Sequence, residues 1–451
     1  MRITVVGGAG YVGLVTGIGL AALGHDVTNV DVDRKRVEML SDGHSPIYEE
    51  GIEEQLRANL EAGRLKFSAD IDKVIPGSEM VFIAVGTPSR QDGQADLSQV
   101  IGVAEDLARL IDCYTVIVIK STVPVGTVDL VRSVLSGEKV EGKDFDLVSN
   151  PEFLREGKAV YDFFNPDRIV IGAEADRPRA KMHELYKPLI FREVSWPESN
   201  GATERSPVPV VETGIASAQT IKYASNAFLA TRISFINEIA GLCERVGADV
   251  TEVARGMGFD PRIGPAYLAA GLGFGGPCLE KDLKALIKIA EGVDYEAELL
   301  KSVLDRNERQ LVDIVSKVTT RAGSTGMLYR KKIAVLGLSF KAGTNDVRNS
   351  LAPKVVERLE KSGALVRAHD PVAIPDARLM WPDVTYCDDP YETTRRADAL
   401  LVLTEWPQYR ELDFARVRDL MAVPNVIDAR NHLDRSMLTG LGFSYTGVGR
   451  A

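Results

Sequence analysis

The sequence predicts an α/β fold, with two Rossmann-like, doubly wound parallel-sheet domains joined by a long central helix. Three observations carry that reading. From Arg2 to Ala173, short apolar runs rich in β-branched residues alternate with helical patterns. The same alternation returns after Lys332. Between the two, helical periodicity dominates from residue 214 to 246. The domain boundaries expected from this are residues 1–212, 213–322 and 323–451, the middle segment being a helical connector.

Composition narrows the class. The 451 residues are 45% hydrophobic and 26% charged, the profile of a globular chain with ample core. A formal net charge of −10 argues against general nucleic-acid binding, so an anionic ligand needs a local basic site. The four cysteines, Cys113, Cys243, Cys278 and Cys387, are scattered. They lack metal-ligand spacing and are too few for a disulfide framework, which points to a reducing compartment and to no metal. No apolar run is long enough to span a membrane. Arg2-Ile3-Thr4-Val5-Val6 runs straight into glycines as a strand would, and not as a signal peptide.

The first apolar run, residues 2–7, leads into Gly8-Ala9-Gly10-Tyr11-Val12-Gly13, and a helical pattern through Leu14, Ile18 and Leu23 follows at once. G-x-G-x-x-G between a strand and a helix is a dinucleotide fingerprint. Its glycines allow a tight turn and bring a pyrophosphate against the helix N-terminus. A second strand, Asp26 to Asp33, carries Asp31 where an acid binds the adenine ribose hydroxyls. An acid there favours NAD over NADP, whose extra phosphate it would repel.

Met80 to Pro88 reads as a buried strand ending in a turn, and Thr115 to Lys120 as another, followed by Ser121–Gly126. Helical patterns at 98–111 and 127–135 separate such strands, as a parallel sheet requires. Thr87 and Thr122 fall at the carboxyl ends of their strands, where ligands of these sheets bind, although each also suits a plain turn or cap. The strand Phe145 to Ser149 leads into Asn150–Gly157. Glu152 and Glu156 are four apart and would share one face of a short helix. They are either a functional pair or an acidic first turn complementing the helix dipole. Asp167 to Ala173 is one more strand, and 195–212, rich in Pro, Ser, Glu and Gly, reads as an exposed loop.

In the long helix, Ile221, Phe228, Ile236 and Ile239 are apolar positions. Lys222 and Asn226 form a four-residue pair of the kind that usually lines a solvated face. Such an apolar helix suits a dimer interface as well as an intrachain core. A second helix over 249–257, a turn at Asp260–Gly264 and the segment Tyr267–Gly271 lead to Gly271-Leu272-Gly273-Phe274-Gly275-Gly276-Pro277-Cys278-Leu279-Glu280-Lys281-Asp282. Glycines here let the backbone bend tightly beside a ligand. Pro277 suits the first turn of a helix. Cys278 would sit at that helix start, where the dipole and Lys281 favour thiolate over thiol. Asp282, four residues on, shares its face. The stretch reads as a covalent nucleophile beside a carboxylate, or as a buried structural cysteine beside a glycine turn. Helical patterns resume at 281–291 and 294–318.

Residues 323–330 look like a linker, and Lys332 to Gly337 is again a strand. A loop with Lys341 and Arg348, a helix over 351–362 and strands at 365–369, 399–404 and 426–428 follow. This second unit lacks G-x-G-x-x-G and so would hold a different nucleotide. Lys341 and Arg348 suit phosphate groups, or are solvated loop charges.

Seven motifs occur in order over nearly the whole chain: Gly8–Gly13 with Asp31, Val85–Pro88, Ser121–Gly126, Asn150–Gly157, the Lys222/Asn226 helix, Gly273–Asp282 and Phe340–Arg348. Together they resemble the UDP-glucose/GDP-mannose dehydrogenase family, in particular its UDP-glucose 6-dehydrogenase group. The resemblance implies an N-terminal NAD domain, a connecting helix that helps form a homodimer, and a C-terminal domain contributing to nucleotide-sugar binding. It implies four-electron oxidation of a primary alcohol to a carboxylate with two NAD in succession, in the cytoplasm.

By the same match Cys278 is the nucleophile, passing through a thiohemiacetal and a thioester. Lys222 stabilises oxyanions. Asp282 accepts a proton through water ordered by Asn226 and Thr122, and Glu156 is a second carboxylate, implicated in thioester hydrolysis. The NAD side is assigned Gly8, Gly10, Tyr11, Val12, Gly13, Asp31, Arg36, Thr87, Thr122, Glu156, Lys281 and Arg348. The substrate side is assigned Glu152, Phe153, Leu154, Arg155, Lys222, Asn226, Arg262, Tyr267, Leu268, Gly271, Gly275 and Lys341.

UDP-glucose is the implied substrate. GDP-mannose and UDP-N-acetylmannosamine are alternatives for the same chemistry, and a two-electron hydroxyacid dehydrogenase is an alternative that needs no cysteine. Four departures stand out. Gly7 makes the entry to the glycine turn one residue longer than usual, so a small shift of the first strand or turn is expected. Pro277 replaces a frequent Ser and Glu280 a frequent Pro. The polar loop 195–212 is longer than is common.

Overall fold

Met80–Ile83, Thr115–Ile119 and Phe145–Ser149 are each buried at every position. A strand covered by helices on both faces takes mostly apolar side chains on both faces, not only at alternate positions, and this explains the runs Met80–Ile83 and Val116–Ile119. Cutting back one of them, such as the fully buried Ile117, to alanine costs about 2–5 kcal/mol. The computed structural model describes residues 1–90, 92–194, 196, 206–323 and 327–450.

Among the described residues the strands form two sheets. The first has eight strands: β1 (Arg2–Val6), β2 (Asp26–Val30), β3 (Leu65–Ser68), β4 (Met80–Ile83), β5 (Thr115–Ile119), β6 (Phe145–Ser149), β7 (Ile169–Ala173) and β8 (Val210–Thr213), in the order β3-β2-β1-β4-β5-β6-β7-β8. The second has six: β9 (Lys332–Leu336), β10 (Leu365–His369), β11 (Thr385–Tyr386), β12 (Ala399–Val402), β13 (Asn425–Asp428) and β14 (Ser444–Gly447), in the order β11-β10-β9-β12-β13-β14. In both, the direction of winding reverses beside the first strand, between β1 and β4 and between β9 and β12. That is the switch point at which a doubly wound sheet opens a crevice for a ligand. A 32-residue helix, Ile215–Val246, connects the sheets in sequence. The fold class is therefore the expected one. By their internal contacts the residues divide into two compact units, Met1–Ser225 and Asn226–Ala451.

Several local expectations need correction. The sheet is not wholly parallel: β7 runs antiparallel to β6, and β8 parallel to β7. A buried apolar run encodes burial on both faces but not direction. Glu152 and Glu156 lie on no helix; residues 151–158 are loop and turn, and the next helix is Ala159–Phe164. Glu152 itself explains this, since its carboxylate accepts the Leu154 N–H and so competes with helical bonding. Of the polar segment 195–212, residues 195 and 197–205 lie outside the described residues, but Val210–Thr213 is an edge strand and not loop. Its polar side chains are what a sheet edge tolerates. Pro277 precedes the helix Leu279–Glu291, whose N-cap is Cys278. Among the described residues no helix is long and apolar enough to cross a membrane. No group of three or more His, Cys, Asp or Glu among them is placed to hold a metal ion.

Candidate active site

The dinucleotide turn follows β1. The Gly7 and Gly8 N–H groups both donate to Val30 O at 2.9 Å, and the helix Tyr11–Ala22 starts after Gly10. A Cβ on Gly13 would lie 2.2 Å from Gly7 O, so only glycine fits. Gly10 caps the helix without a side-chain bond, leaving its first N–H groups for an anion. Asp31, half-buried just past β2, accepts the Ala9 N–H at 2.9 Å and the Asp33 N–H at 3.0 Å. Pyrophosphate cradle and ribose acid thus lie side by side, and these residues fit NAD. Arg36 sits in the first turn of the helix Arg34–Ser41, 3.5 Å from Asp33. Thr87 Oγ1 donates to Thr122 O at 2.8 Å, tying together the chain beyond β4 and β5.

A buried charge cluster lies at the carboxyl ends of β5 and β6. Lys222 Nζ is 2.9 Å from Glu152 Oε1, with both side chains under a tenth exposed. The Lys222/Asn226 face is therefore buried and not solvated. Lys120, also buried, donates to Asn150 Oδ1 at 3.1 Å, and Tyr186 Oη donates to the same oxygen at 2.7 Å. Burial alone would raise the Glu152 carboxyl. The Lys222 ammonium, the Leu154 N–H and Lys120 outweigh it and hold the group below the ordinary carboxylate range. Burial pushes the Lys120 ammonium down to about 8, with Glu152 opposing and Lys222 adding to the fall. Phe153 stacks under the Arg168 guanidinium at 3.7 Å and lies 5.5 Å from Lys222 Nζ.

A second carboxylate, Glu49, bolts the dinucleotide turn to the loop after β6. It is buried, accepts the Gly157 N–H at 2.7 Å and the Ala159 N–H at 2.5 Å, and accepts the Tyr11 hydroxyl in a short hydrogen bond. Burial, then Glu49, then Glu156 raise the Tyr11 phenol far above its usual range, so it stays protonated as a donor. Glu156 thus lies within electrostatic reach of the turn. Arg155 is exposed and held by Asp162 through its backbone and guanidinium, at 2.9 Å for Nε.

In the second unit, Cys278 is exposed at the helix N-cap and is not a buried structural cysteine. One turn on, the Asp282 N–H donates to Cys278 O at 2.9 Å. The Asp282 side chain, 1% exposed, accepts Asn226 Nδ2 and Lys281 Nζ, each at 2.6 Å. Lys281 is thus paired with the Asp282 carboxylate in this geometry. Three buried carboxamides hold the glycine ribbon that leads to the thiol. Asn237 Oδ1 accepts the Gly271 N–H, Gln310 Nε2 donates to Gly271 O, and Asn307 pairs with both backbone groups of Phe274. Gly273 has φ +110°, and a Cβ there would meet Asn307 Oδ1 at 2.4 Å. Gly276 N–H bonds Asn349 O, and a Cβ on Gly275 would come within 2.8 Å of that oxygen.

Leu268 is buried and Tyr267 partly exposed at φ +60°. Arg262 is exposed and forked onto Asp260, and Arg348 likewise onto Asp346. Lys341 Nζ lies 5.7 Å from the Phe340 ring. The acid after β10, Asp370, is buried and accepts the N–H groups of Leu338, Ser339, Val372 and Ala373. Each of its oxygens takes two backbone N–H groups where each of Asp31's takes one, in keeping with the missing glycine fingerprint of that sheet.

Comparison with known proteins separates a shared fold from a shared family. Residues 1–190 match the NAD binding domain of the UDP-glucose/GDP-mannose dehydrogenase family, 216–309 its central domain and 334–435 its UDP binding domain. The chain belongs to this family. It is 43% identical to the UDP-glucose 6-dehydrogenase YwqF of Bacillus subtilis (strain 168), over 100% of this chain and 98% of that one. It is 44% identical to a UDP-glucose 6-dehydrogenase of Rhizobium meliloti (strain 1021), over all of both chains. A UDP-glucose dehydrogenase from the hyperthermophilic archaeon Pyrobaculum islandicum superposes with a TM-score of 0.87 at 38% identity, covering 100% of this chain and 98% of that one. As a member of the UDP-glucose/GDP-mannose dehydrogenase family, the chain is an NAD-dependent dehydrogenase acting on a nucleotide sugar.

Lys120, Asn150, Tyr186 and Glu49 carry no role among the residues expected from sequence. For Lys120 and Asn150 a signal existed, since each is a polar residue directly after a fully buried strand. Glu49 offered none: beside Glu50 it reads as one of two acids ahead of a helix, yet Glu49 is buried and Glu50 exposed.

Proposed function

We propose that the protein is a UDP-glucose 6-dehydrogenase, oxidising C6 of UDP-glucose to the carboxylate of UDP-glucuronate. The observation that supports this most is an exposed Cys278 at a helix start, one turn before a buried Asp282 that holds Asn226 and Lys281. A thiol is what lets one site carry out two oxidations. Bound NAD supplies the hydride acceptor, one molecule for each oxidation.

As the first hydride leaves C6, Asp282 accepts the hydroxyl proton through water, leaving an aldehyde. The Cys278 thiolate then forms a C–S bond to C6, and the oxygen of the resulting thiohemiacetal becomes an oxyanion, the charge that the Lys222 ammonium is assigned to stabilise. Departure of the second hydride from C6 leaves a thioester. Water attack breaks the C–S bond, restores the thiolate and releases the carboxylate, with Glu156 handling the water's proton. Asn226 and Thr122 order the water. Glu152 holds Lys222 at 2.9 Å and keeps its charge in place.

The proposal includes the three-part division at 1–212, 213–322 and 323–451, the cytoplasm as its compartment, and a homodimer. Phe228, Phe235 and Leu242 recur every seven residues on the long helix and are 61%, 47% and 55% exposed, an apolar stripe that a second copy would cover. NADH formation with UDP-glucose, GDP-mannose and UDP-N-acetylmannosamine tests the substrate. The expected kcat/KM for UDP-glucose exceeds the others by at least about 100-fold. A preference for another sugar nucleotide overturns the assignment.

A further inference from the structure

Lys120 has no part in the mechanism above, yet it is an ammonium group at the carboxyl end of β5 with 7% exposure. Its hydrogen bond goes to a neutral amide, Asn150 Oδ1, at 3.1 Å. Asn150 directly follows β6, receives Tyr186 Oη on the same oxygen and donates its Nδ2 to Val170 O at 2.7 Å. Lys120 therefore bridges the ends of two adjacent strands, on the edge of the sheet where ligands bind. The charged groups that face it are Glu152, on the loop after β6, and Lys222, on the long helix. Glu152 is already committed to Lys222 at 2.9 Å. Both ammonium groups thus act on the Glu152 carboxylate. Burying a cation against an amide costs stability and is not how a core is strengthened.

We propose that Lys120 is a positioning residue for the oxidation: it fixes the Asn150–Glu152 turn that holds Lys222 and adds a second positive charge to the place where oxyanions form. This rests on the reaction proposed above. In each oxyanion-forming step, negative charge appears on the oxygen at C6, and a second ammonium beside the Glu152–Lys222 pair stabilises it more than that pair would alone. Burial lowers the Lys120 ammonium to about 8, so the charge is present at neutral pH and is held at a cost.

The test replaces the charge while keeping the volume. Lys120→Met is expected to unfold in urea at the same denaturant concentration as the wild type or a higher one at pH 7. Its kcat is expected to fall by about 10- to 100-fold, with the KM for UDP-glucose changed less than about threefold. Lys120→Arg, which keeps the charge, should recover part of the rate. A purely structural lysine gives the opposite pattern, a lower midpoint and normal turnover per folded molecule, and that result overturns the proposal, as does full activity in a stable Met variant. If Lys120→Met does not fold, Lys120→Gln against Lys120→Arg decides: equal turnover refutes the role of charge, and a slower Gln variant upholds it. A wild-type protein that forms no NADH from UDP-glucose refutes the proposed function itself, which separates the two failures.

Discussion

Asn226 Nδ2 donates to Asp282 Oδ2 at 2.6 Å, while Lys281 Nζ lies 2.6 Å from the other carboxylate oxygen. The carboxylate is buried, on the helix that Cys278 begins. It can serve both donors because each oxygen accepts, and a carboxamide has only one accepting oxygen. Asp282→Asn is therefore expected to leave one donor facing another donor and to lose about 1–3 kcal/mol of stability in urea unfolding. As the proposed proton acceptor, its loss should lower kcat at least about 100-fold. Turnover within tenfold of wild type would reduce Asp282 to a structural role.

The Glu152–Lys222 pair makes stability depend on pH. The folded-state pKa of Glu152 lies below its unfolded value, so its stabilising share is present above the unfolded pKa of about 4.3 and is lost as pH falls through the folded value. Glu152→Gln removes one partner of a buried pair and should cost about 3–5 kcal/mol at pH 7. The gap to wild type should narrow at acid pH, once the wild-type carboxyl is itself protonated. Urea titrations at pH 7 and below pH 4 read this directly, and a gap that stays constant would contradict it.

Glu49 accepts from Gly157 and Ala159 of one loop and from Tyr11, the first residue of the helix after the dinucleotide turn. Glu49→Gln turns one acceptor oxygen into a donor against those N–H groups. A loss of about 2–3 kcal/mol in folding stability is expected. NAD affinity, measured by calorimetry, should weaken by about tenfold if the turn loosens with it. Unchanged NAD affinity would show that Glu49 braces the loop without reaching the turn.

Residues close in sequence disclosed themselves; those brought together by the fold did not. The glycine turn, Asp31 at the end of its strand, and Cys278 with Asp282 one helical turn away follow from spacing, because backbone periodicity alone sets them on one turn or face. Lys222 and Glu152 are 70 residues apart, and Glu49 and Gly157 are 108 apart. Periodicity says which side of an element a residue takes, and nothing about which distant element meets it. The Lys222/Asn226 pair shows the consequence, since polar residues at helical spacing suggested a solvated face and the structure buries both. The direction of β7 was hidden for a related reason, because a strand buried on both faces has the same composition whichever way it runs.

The central claim is that Cys278 carries the sugar through two oxidations without releasing the aldehyde. Cys278→Ser retains a first oxidation at most, because a serine hydroxyl at neutral pH has no thiolate's nucleophilicity. The most direct measurement is the amount of NADH formed for each UDP-glucose consumed by the purified wild-type protein, with UDP-glucuronate quantified in the same sample. The thioester mechanism predicts a ratio near two and a carboxylate product. A ratio near one, with aldehyde accumulating, would contradict it.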